Sequence, residues 1–300
     1  MPDSLTVRVP ATSANMGPGF DCLGLALDFW NEVRVDLGGS GLQVTGEGEG
    51  SLSLGKHNLV HEGISLAFAE AGQPMPRIGV RCHNEIPLGR GLGSSSAAVV
   101  GGLVAGNELC GRPLSQDRLL ELAAQTEGHP DNSAAALLGG CQIVVQDGDR
   151  LVTATVPVPE GLRAVLFIPD MPMPTEHARG LLPPIVDRSD AVFNTGRTAL
   201  LVSAFFSGDL SKLRVATQDR LHQPARETIF PAMKNIIKSA LDAGALGVFL
   251  SGAGSTVLAL ATDRELTIGY EMADAAAKSG IDGTLKVTRP TTTGAHVAAS

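Results

Sequence analysis

The residues with the clearest chemical potential form a run of glycines and serines at residues 87–98, PLGRGLGSSSAA. Gly89, Gly91 and Gly93 permit positive φ angles and let the backbone approach a ligand closely. The serines lead into an apolar segment of small residues that we predict to be a helix. Free N–H groups and the positive end of the dipole make the start of a helix a binding site for anions. The run therefore predicts a phosphate-binding loop.

The same run has a simpler interpretation, because a Gly/Ser segment before a helix is often a tight turn with an N-cap. A single G-x-G-x-x-S match is weak support for phosphate binding. A Walker loop would need a Lys followed by Ser or Thr after its last glycine, and the protein-kinase signatures are absent from the sequence. A dinucleotide-binding turn would have a third glycine where Ser94 stands.

Four segments in chain order extend the pattern: residues 9–24 (VPATSANMGPGFDCLG), the loop at 87–98, residues 127–132 (EGHPDN) and residues 250–256 (LSGAGST). Together they resemble the motifs of the GHMP small-molecule kinases. The first and third segments are most similar to the members that phosphorylate homoserine. Because the four segments occur in the family's order and span the chain, they are far more specific than any one of them alone.

The resemblance implies an α+β, two-domain GHMP kinase fold. An N-terminal domain similar to ribosomal protein S5 would occupy residues 1–156, and a ferredoxin-like domain residues 157–300. The implied reaction is phosphorylation of the side-chain hydroxyl of L-homoserine by ATP with Mg²⁺, giving O-phospho-L-homoserine for threonine biosynthesis. Two alternatives stay open: a GHMP-type kinase of another small hydroxylated acceptor, or a catalytically silent nucleotide-binding regulator.

The resemblance also implies site residues. Those for the nucleotide are Asn58, Pro87, Leu88, Gly89, Arg90, Gly91, Leu92, Gly93, Ser94, Ser95, Ser96 and Ala97. Those for the acceptor are Asn15, Asp21, His129, Arg179 and Arg226. The two arginines would hold the carboxylate, since the planar guanidinium binds it in two places, although a single Arg is more often a surface ion-pair partner. The other three residues would meet the ammonium and hydroxyl groups.

Magnesium prefers one or two carboxylates, with waters and phosphate oxygens completing its shell. By resemblance, Ser95 contributes a hydroxyl. Glu121 and Glu127 both precede Asn132. In mevalonate kinase the metal-binding glutamate lies eleven positions before the catalytic aspartate, and this spacing favours Glu121. We therefore interpret Glu127 as a surface residue.

Asn132 occupies the position where several family members have an aspartate general base. An amide cannot accept a proton, so the resemblance implies direct attack by a hydroxyl that Asn132, Asn15 and His129 position. The proton would pass late to a phosphate oxygen, which a loose transition state permits. Asp131 is an alternative base, although an N-cap role explains it more simply.

Composition limits the remaining classes. The 300 residues are 43% hydrophobic and 18% charged, typical of a soluble globular protein of one or two domains. The four cysteines, Cys22, Cys82, Cys110 and Cys141, lack metal-binding or disulfide spacing, which indicates a reducing compartment. A net charge of −8 with one Trp and one Tyr disfavours nucleic acid, and Arg90 would supply local positive charge. No signal peptide or membrane-spanning run is evident, so we expect a cytoplasmic protein, with a homodimer as an open possibility.

Hydrophobic periodicity predicts the elements that must position these residues. Strands are expected at 5–9, 31–37, 77–86, 141–146, 162–168, 248–250, 256–260 and 284–287. Helices are expected at 58–71, 94–109, 114–126, 190–206, 231–243 and 264–277. The prolines and glycine at Pro157, Pro159 and Gly161 suggest the domain boundary.

Overall fold

Two β-sheets with helices packed against them form the protein in a computed structural model, which describes residues 4–298. The strands are β1 (Ser4–Ala14), β2 (Leu23–Leu37), β3 (Leu42–Gly46), β4 (Ile78–Asn84), β5 (Cys141–Asp147), β6 (Arg150–Val156), β7 (Arg163–Pro169), β8 (Gly247–Leu250), β9 (Val257–Ala261), β10 (Gly283–Thr288) and β11 (His296–Val297). The helices are α1 (Leu59–Glu70), α2 (Ser94–Leu109), α3 (Gln116–Glu127), α4 (Asp131–Leu138), α5 (Thr175–Gly180), α6 (Arg188–Ser207), α7 (Leu213–Ala216), α8 (Gln223–Arg226), α9 (Ala232–Asp242) and α10 (Glu265–Lys278).

The first sheet has the strand order β11-β1-β2-β4-β3, and β5 pairs with the start of β2 and with β6. In β1 the buried positions alternate as far as Val9, and from Pro10 onward every residue is buried. A register shift between Pro10 and Ala11 marks the change, where an irregularity re-aims the strand. The periodicity therefore predicted only the first half of β1, since the second half carries no alternation.

Helix α2 explains how the phosphate loop is held. All but four of its sixteen residues are buried, and it carries almost no polar face. A helix that is apolar on every side belongs in a core. It packs among α1, α3, α4 and the strands β1 and β2. Its N-terminus, and with it the loop, is thus fixed by the centre of the first half of the molecule.

The second sheet has the order β10-β7-β9-β8, and its strands follow one another along the chain as strand, helices, two strands, helix, strand. This is the split β-α-β arrangement predicted for the C-terminal half. In β7, Val165 and Phe167 belong to the core beneath α9 and α10, whereas Leu166 and Ile168 belong to the core of the first sheet. The period-2 alternation of one strand therefore joins the two halves.

The predicted boundary at residue 157 lies between the last strand of the N-terminal hairpin, β6, and the first strand of the second sheet, β7. The core of the first sheet is not confined to the N-terminal half, however, because residues on one face of the second sheet pack into it. The chain also returns at its end, where β11 pairs with β1. Among residues 4–298, none of the helices has the length and apolar character needed to cross a membrane.

Candidate active site

A cavity of about 330 Å³ lies between the phosphate loop, the first motif and the second half of the chain. The predicted site residues that line it are Asn15, Asn58, Pro87, Leu88, Gly89, Arg90, Gly91, Leu92, Gly93, Ser94, Ser95, His129, Asn132, Arg179 and Arg226. Those that do not are Asp21, Ser96, Ala97 and Glu121. The structure thus brings six separate segments of the sequence to one cavity.

The phosphate loop has its carbonyl groups bonded and its amides free. The carbonyl oxygens of Gly89, Arg90 and Gly91 accept hydrogen bonds from the second half of the chain, at 2.8, 3.1 and 2.6 Å. Within the described residues, the N–H groups of 91–96 donate to no protein acceptor. Unpaired amides at the start of a buried helix suit a phosphate group, which can accept from several of them.

Two glycines of the loop are required by close approach as well as by conformation. Gly93 has a φ of 74°, and a Cβ atom there would lie 1.9 Å from Oγ1 of Thr12. Gly91 has a φ of 73°, and its Cβ would lie 2.1 Å from the carbonyl oxygen of Ser251. Any side chain at either position would therefore displace the loop from its neighbours.

The two glutamates considered for magnesium have different partners, and neither is among the residues that line the cavity. The carboxylate of Glu121 pairs with Arg118 at 2.9 Å. The Oε2 atom of Glu127 instead accepts hydrogen bonds from the hydroxyls of Ser95 at 2.7 Å and Ser96 at 2.6 Å. Six helical residues separate the two glutamates, which places them about 9 Å apart along α3 and on different faces. Glu127 is the last residue of α3 and lies five positions before Asn132.

Two residues predicted to contact the nucleotide have structural partners. Arg90 donates to the carbonyl oxygens of Leu88 at 2.7 Å and Pro169 at 2.8 Å, and also to that of Asp170. Its guanidinium thus fastens the loop to the end of β7. Asn58 lines the cavity, but its Oδ1 atom caps α1 by accepting a hydrogen bond from the amide of Val60.

At the other end of the cavity, Asp21 and Arg179 form a two-point ion pair, with N···O distances of 3.0 and 2.5 Å. Both side chains are half-buried. Asn15, with a φ of 67°, donates from Nδ2 to the carbonyl of Gly252 and accepts at Oδ1 from the amide of Asp21. Asn15 therefore shapes the loop that carries Asp21.

Arg226 is almost fully buried, with 1% of its surface exposed. Its Nη1 atom donates to the carbonyl of Gly252 at 2.9 Å and contacts His222. Its Nε atom has no hydrogen-bond partner among the described residues. Burial and the nearby charge of Arg179 lower the pKa of Arg226 to about 10, so it remains a cation at neutral pH. A buried cation with an open donor is suited to binding an anion.

His129, Asp131 and Asn132 meet beside the start of the phosphate loop. The Nδ1 atom of His129 lies 3.2 Å from Oδ1 of Asp131, which also accepts from the amide of Asn132 at 2.7 Å. Burial lowers the pKa of His129, but the hydrogen bond and charge of Asp131 outweigh it, so the net shift is upward. The hydroxyl of Thr12 donates to Oδ1 of Asn132 at 2.7 Å, which leaves the amide NH₂ of Asn132 as the available group.

Thr12, Thr175 and Asn31 also belong to the site but were not predicted from the sequence. Thr12 lies inside the first motif, where its contact with Asn132 depends on a partner 120 residues away. Thr175 begins α5, the helix that carries Arg179, and lines the cavity. Asn31 accepts at Oδ1 from the amides of Glu85 and Ile86, which fixes the chain as it enters the phosphate loop. Because β2 also carries Asp28, Glu32 and Arg34, no local signal in the sequence marked Asn31.

Comparison with known proteins shows the family of this chain. The family described as "GHMP kinases N terminal domain" matches residues 58–140, and "GHMP kinases C terminal" matches residues 201–276. The chain belongs to the GHMP kinase family, as its four motifs predicted. The predicted α+β fold of this family is likewise confirmed.

Within that family, the chain is similar over nearly its whole length to homoserine kinases. The homoserine kinase of Moorella thermoacetica is 43% identical over 292 residues, which cover 97% of this chain and 99% of the relative. That of Synechocystis is 44% identical over 268 residues, 87% of each chain. The crystal structure of homoserine kinase from Cytophaga hutchinsonii superposes with a TM-score of 0.89 at 33% identity, covering 99% of this chain and 98% of that one.

Proposed function

We propose that this protein transfers the γ-phosphoryl group of ATP to the side-chain hydroxyl of L-homoserine, in the cytoplasm and with Mg²⁺. The observation that carries the proposal is the cavity itself, which is lined by free loop amides and Ser95 at one end and by the two arginines Arg179 and Arg226 at the other. Two carboxylates lie directly behind this lining, Glu127 bonded to Ser95 and Asp21 paired with Arg179. The first end suits a metal-bound polyphosphate, and the second suits an amino acid. The similarity to homoserine kinases supports the choice of acceptor.

At the nucleotide end, the loop amides would bind phosphate oxygens while the bonded carbonyls keep those amides turned towards the cavity. The donor set near the loop fits magnesium, since the carboxylate of Glu127 and the hydroxyl of Ser95 are hard oxygen ligands within 2.7 Å of each other. Bound there, Mg²⁺ would neutralise charge on the phosphate oxygens. Glu127 thus replaces Glu121 as the proposed metal carboxylate.

At the acceptor end, the ion pair of Asp21 and Arg179 offers complementary groups to a zwitterion. The carboxylate of the substrate would bind Arg179 and the open donors of Arg226. The ammonium would bind Asp21. A neutral sugar would leave the buried Arg226 cation without an anionic partner, and this disfavours sugars as acceptors.

The hydroxyl would then lie near His129 and Asn132. The available NH₂ of Asn132 can hold the hydroxyl or a phosphate oxygen but cannot take a proton. Asp131 is 2% exposed and already accepts from His129 and from the amide of Asn132. Its role as a proton acceptor for the substrate is therefore disfavoured. Positioning and charge neutralisation account for the chemistry, with the proton passing late to a phosphate oxygen.

A panel of acceptors tests the proposal. The purified protein is given MgATP with L-homoserine, L-serine, L-threonine, mevalonate, shikimate or galactose, and ADP release is followed by a coupled assay. We expect the highest kcat/KM with L-homoserine. A higher kcat/KM with an acceptor that lacks the ammonium group would contradict the assignment of homoserine as the acceptor. If the protein binds ATP but releases no ADP with any acceptor, it is a nucleotide-binding regulator.

A further inference from the structure

A buried histidine, His222, lies directly behind Arg226 and has no place in the chemistry described above. Its side chain is fully buried, and it precedes α8, the short helix that ends in Arg226. The Nδ1 atom of His222 lies 2.7 Å from Nη1 of Arg226, and the Nε2 atom lies 2.7 Å from the carbonyl oxygen of Gly17. One imidazole ring therefore connects the first motif to the arginine.

The two contacts determine the tautomer of His222. A carbonyl oxygen can only accept, so Nε2 must carry the hydrogen that it donates to Gly17. A guanidinium can only donate, so Nδ1 must be the acceptor for Arg226. Both contacts are satisfied by a single species, the neutral imidazole protonated at Nε2. Burial lowers the pKa of His222 to about 4, so this neutral species is present at neutral pH.

The surroundings of His222 hold the ring in place. The carboxylate of Asp219 accepts from the backbone amides of Leu221, His222 and Gln223, at 2.9, 3.0 and 2.7 Å. These bonds fix the backbone at the start of α8. The ring of Phe20 stacks on the imidazole at 5.4 Å between centroids. The position of His222 is thus set by both halves of the chain.

A hydrogen-bond acceptor such as His222 stabilises Arg226, because Arg226 is a buried cation with only some of its donors bonded. Its Nη1 hydrogens are used by His222 and by Gly252, while Nε is unpaired. Holding Nη1 from behind fixes the rotation of the planar guanidinium of Arg226, which lines the cavity. A fixed orientation reduces the ordering cost when a carboxylate binds in two places.

We propose that His222 is a positioning residue for the acceptor site, acting as the neutral hydrogen-bond acceptor that orients Arg226 towards the substrate carboxylate. This inference rests on the proposed function and assigns the way in which that site is held. It predicts that the hydrogen-bond acceptor at Nδ1, rather than the shape of the ring, determines the affinity for homoserine.

Three substitutions separate the two contacts of the ring. His222→Phe keeps the planar shape and the stacking on Phe20 but removes both polar contacts. The amide of His222→Asn can place an acceptor near Nδ1, whereas that of His222→Gln reaches the position of Nε2 and bonds to Gly17. The matched control is His83→Phe, because His83 is an exposed strand residue outside the cavity.

Steady-state kinetics with L-homoserine and MgATP provide the readout. We expect His222→Phe and His222→Gln to raise the KM for homoserine at least about tenfold, the effect of losing one charged hydrogen bond. The KM for ATP and kcat should change by less than about threefold, since phosphate binding and the reacting hydroxyl lie elsewhere. His222→Asn should keep a KM near that of the wild type, and His83→Phe should be unchanged. Thermal unfolding of each variant shows whether it is folded.

A double-mutant cycle distinguishes action through Arg226 from general loosening of the fold. In an Arg226→Leu background, the effect of His222→Gln on the KM for homoserine should disappear. Equal KM values for His222→Asn and His222→Gln, or a fully additive cycle, would overturn the inference. If His222→Phe does not fold, the KM values of His222→Asn and His222→Gln for homoserine still test the inference. Absence of homoserine-dependent ADP release by the wild type would instead contradict the proposed function.

Discussion

The two glutamates of α3 allow a sharp test of the metal site. Glu127→Gln keeps the size and one carbonyl acceptor for the hydroxyls of Ser95 and Ser96 but removes the negative charge. Glu121→Ala is the matched control, because it removes a carboxylate from the same helix that pairs with Arg118 instead. We expect turnover to fall sharply in the first variant and to be unchanged in the second.

The expected magnitudes differ because the surroundings differ. A charged group that stabilises the transition state is worth about 2.7–4 kcal/mol, so Glu127→Gln should lower kcat by about 10² to 10³. Glu121 contributes a partly exposed ion pair worth about 0.5 kcal/mol of unfolding free energy. Its removal also leaves Arg118 paired with Glu70 at 2.8 Å. Glu121→Ala should therefore lower Tm by about 1–2 °C with normal catalysis.

The assay is kcat as a function of Mg²⁺ concentration, with thermal unfolding as the control for folding. Glu127→Gln should require more Mg²⁺ for half-maximal activity as well as losing kcat. Wild-type kcat and Mg²⁺ dependence in this variant would refute the assignment of Glu127. Loss of turnover in Glu121→Ala, with Tm preserved, would restore the original choice of Glu121.

Three further predictions follow from the acceptor end. Arg179→Leu and Arg226→Leu should each raise the KM for homoserine by about tenfold or more, with a smaller effect on the KM for ATP. If the KM for ATP changes more than the KM for homoserine, these arginines bind the phosphates instead. Asn132→Asp should not accelerate the reaction, because it adds negative charge near the γ-phosphate. Asp131→Asn should retain turnover with an unchanged pH–rate profile. Loss of turnover in Asp131→Asn with normal homoserine binding would identify Asp131 as a general base. The pKa of His129 is raised in the folded state, so the contribution of His129 to stability is complete below the ordinary pKa of 6.5 and is lost as pH rises through the folded pKa. His129→Asn should therefore lower the free energy of unfolding more at pH 5.5 than at pH 8.5. An equal loss at both pH values would contradict the raised pKa.

Local sequence predicted much of the fold. The period-2 strands and the apolar helix α2 appear where expected, because their patterns arise from burial on one face or on all faces. The second half of β1 and the first half of β2 were missed because they are buried on both sides and carry no alternation. Burial of this kind depends on which elements cover a strand, which a local pattern does not contain.

The candidate site shows the same division. The phosphate loop could be identified locally, since its glycines, serines and helix are contiguous. The prediction of Glu121 depended on a borrowed spacing, whereas the contacts of Glu127 with Ser95 and Ser96 are visible only in the folded chain. Arg90 carried the charge expected of a phosphate ligand, but it donates to the carbonyl group of Leu88 and to two carbonyl groups about 80 residues away. His222 lies only four positions before Arg226, yet its proposed role depends on contacts with both Gly17 and Arg226 in the folded chain.

The bonds that hold the phosphate loop to the second half have a consequence for synthesis on the ribosome. The donor Ser251 follows its acceptor Gly91 by 160 residues. At ordinary elongation rates the loop is therefore made roughly 10 to 30 seconds before the partner that holds its carbonyl group. Until Thr256 has also emerged, the nascent chain carries the residues of the loop without their final geometry. ATP is then a ligand for finished molecules, and its binding stabilises completed chains over truncated ones.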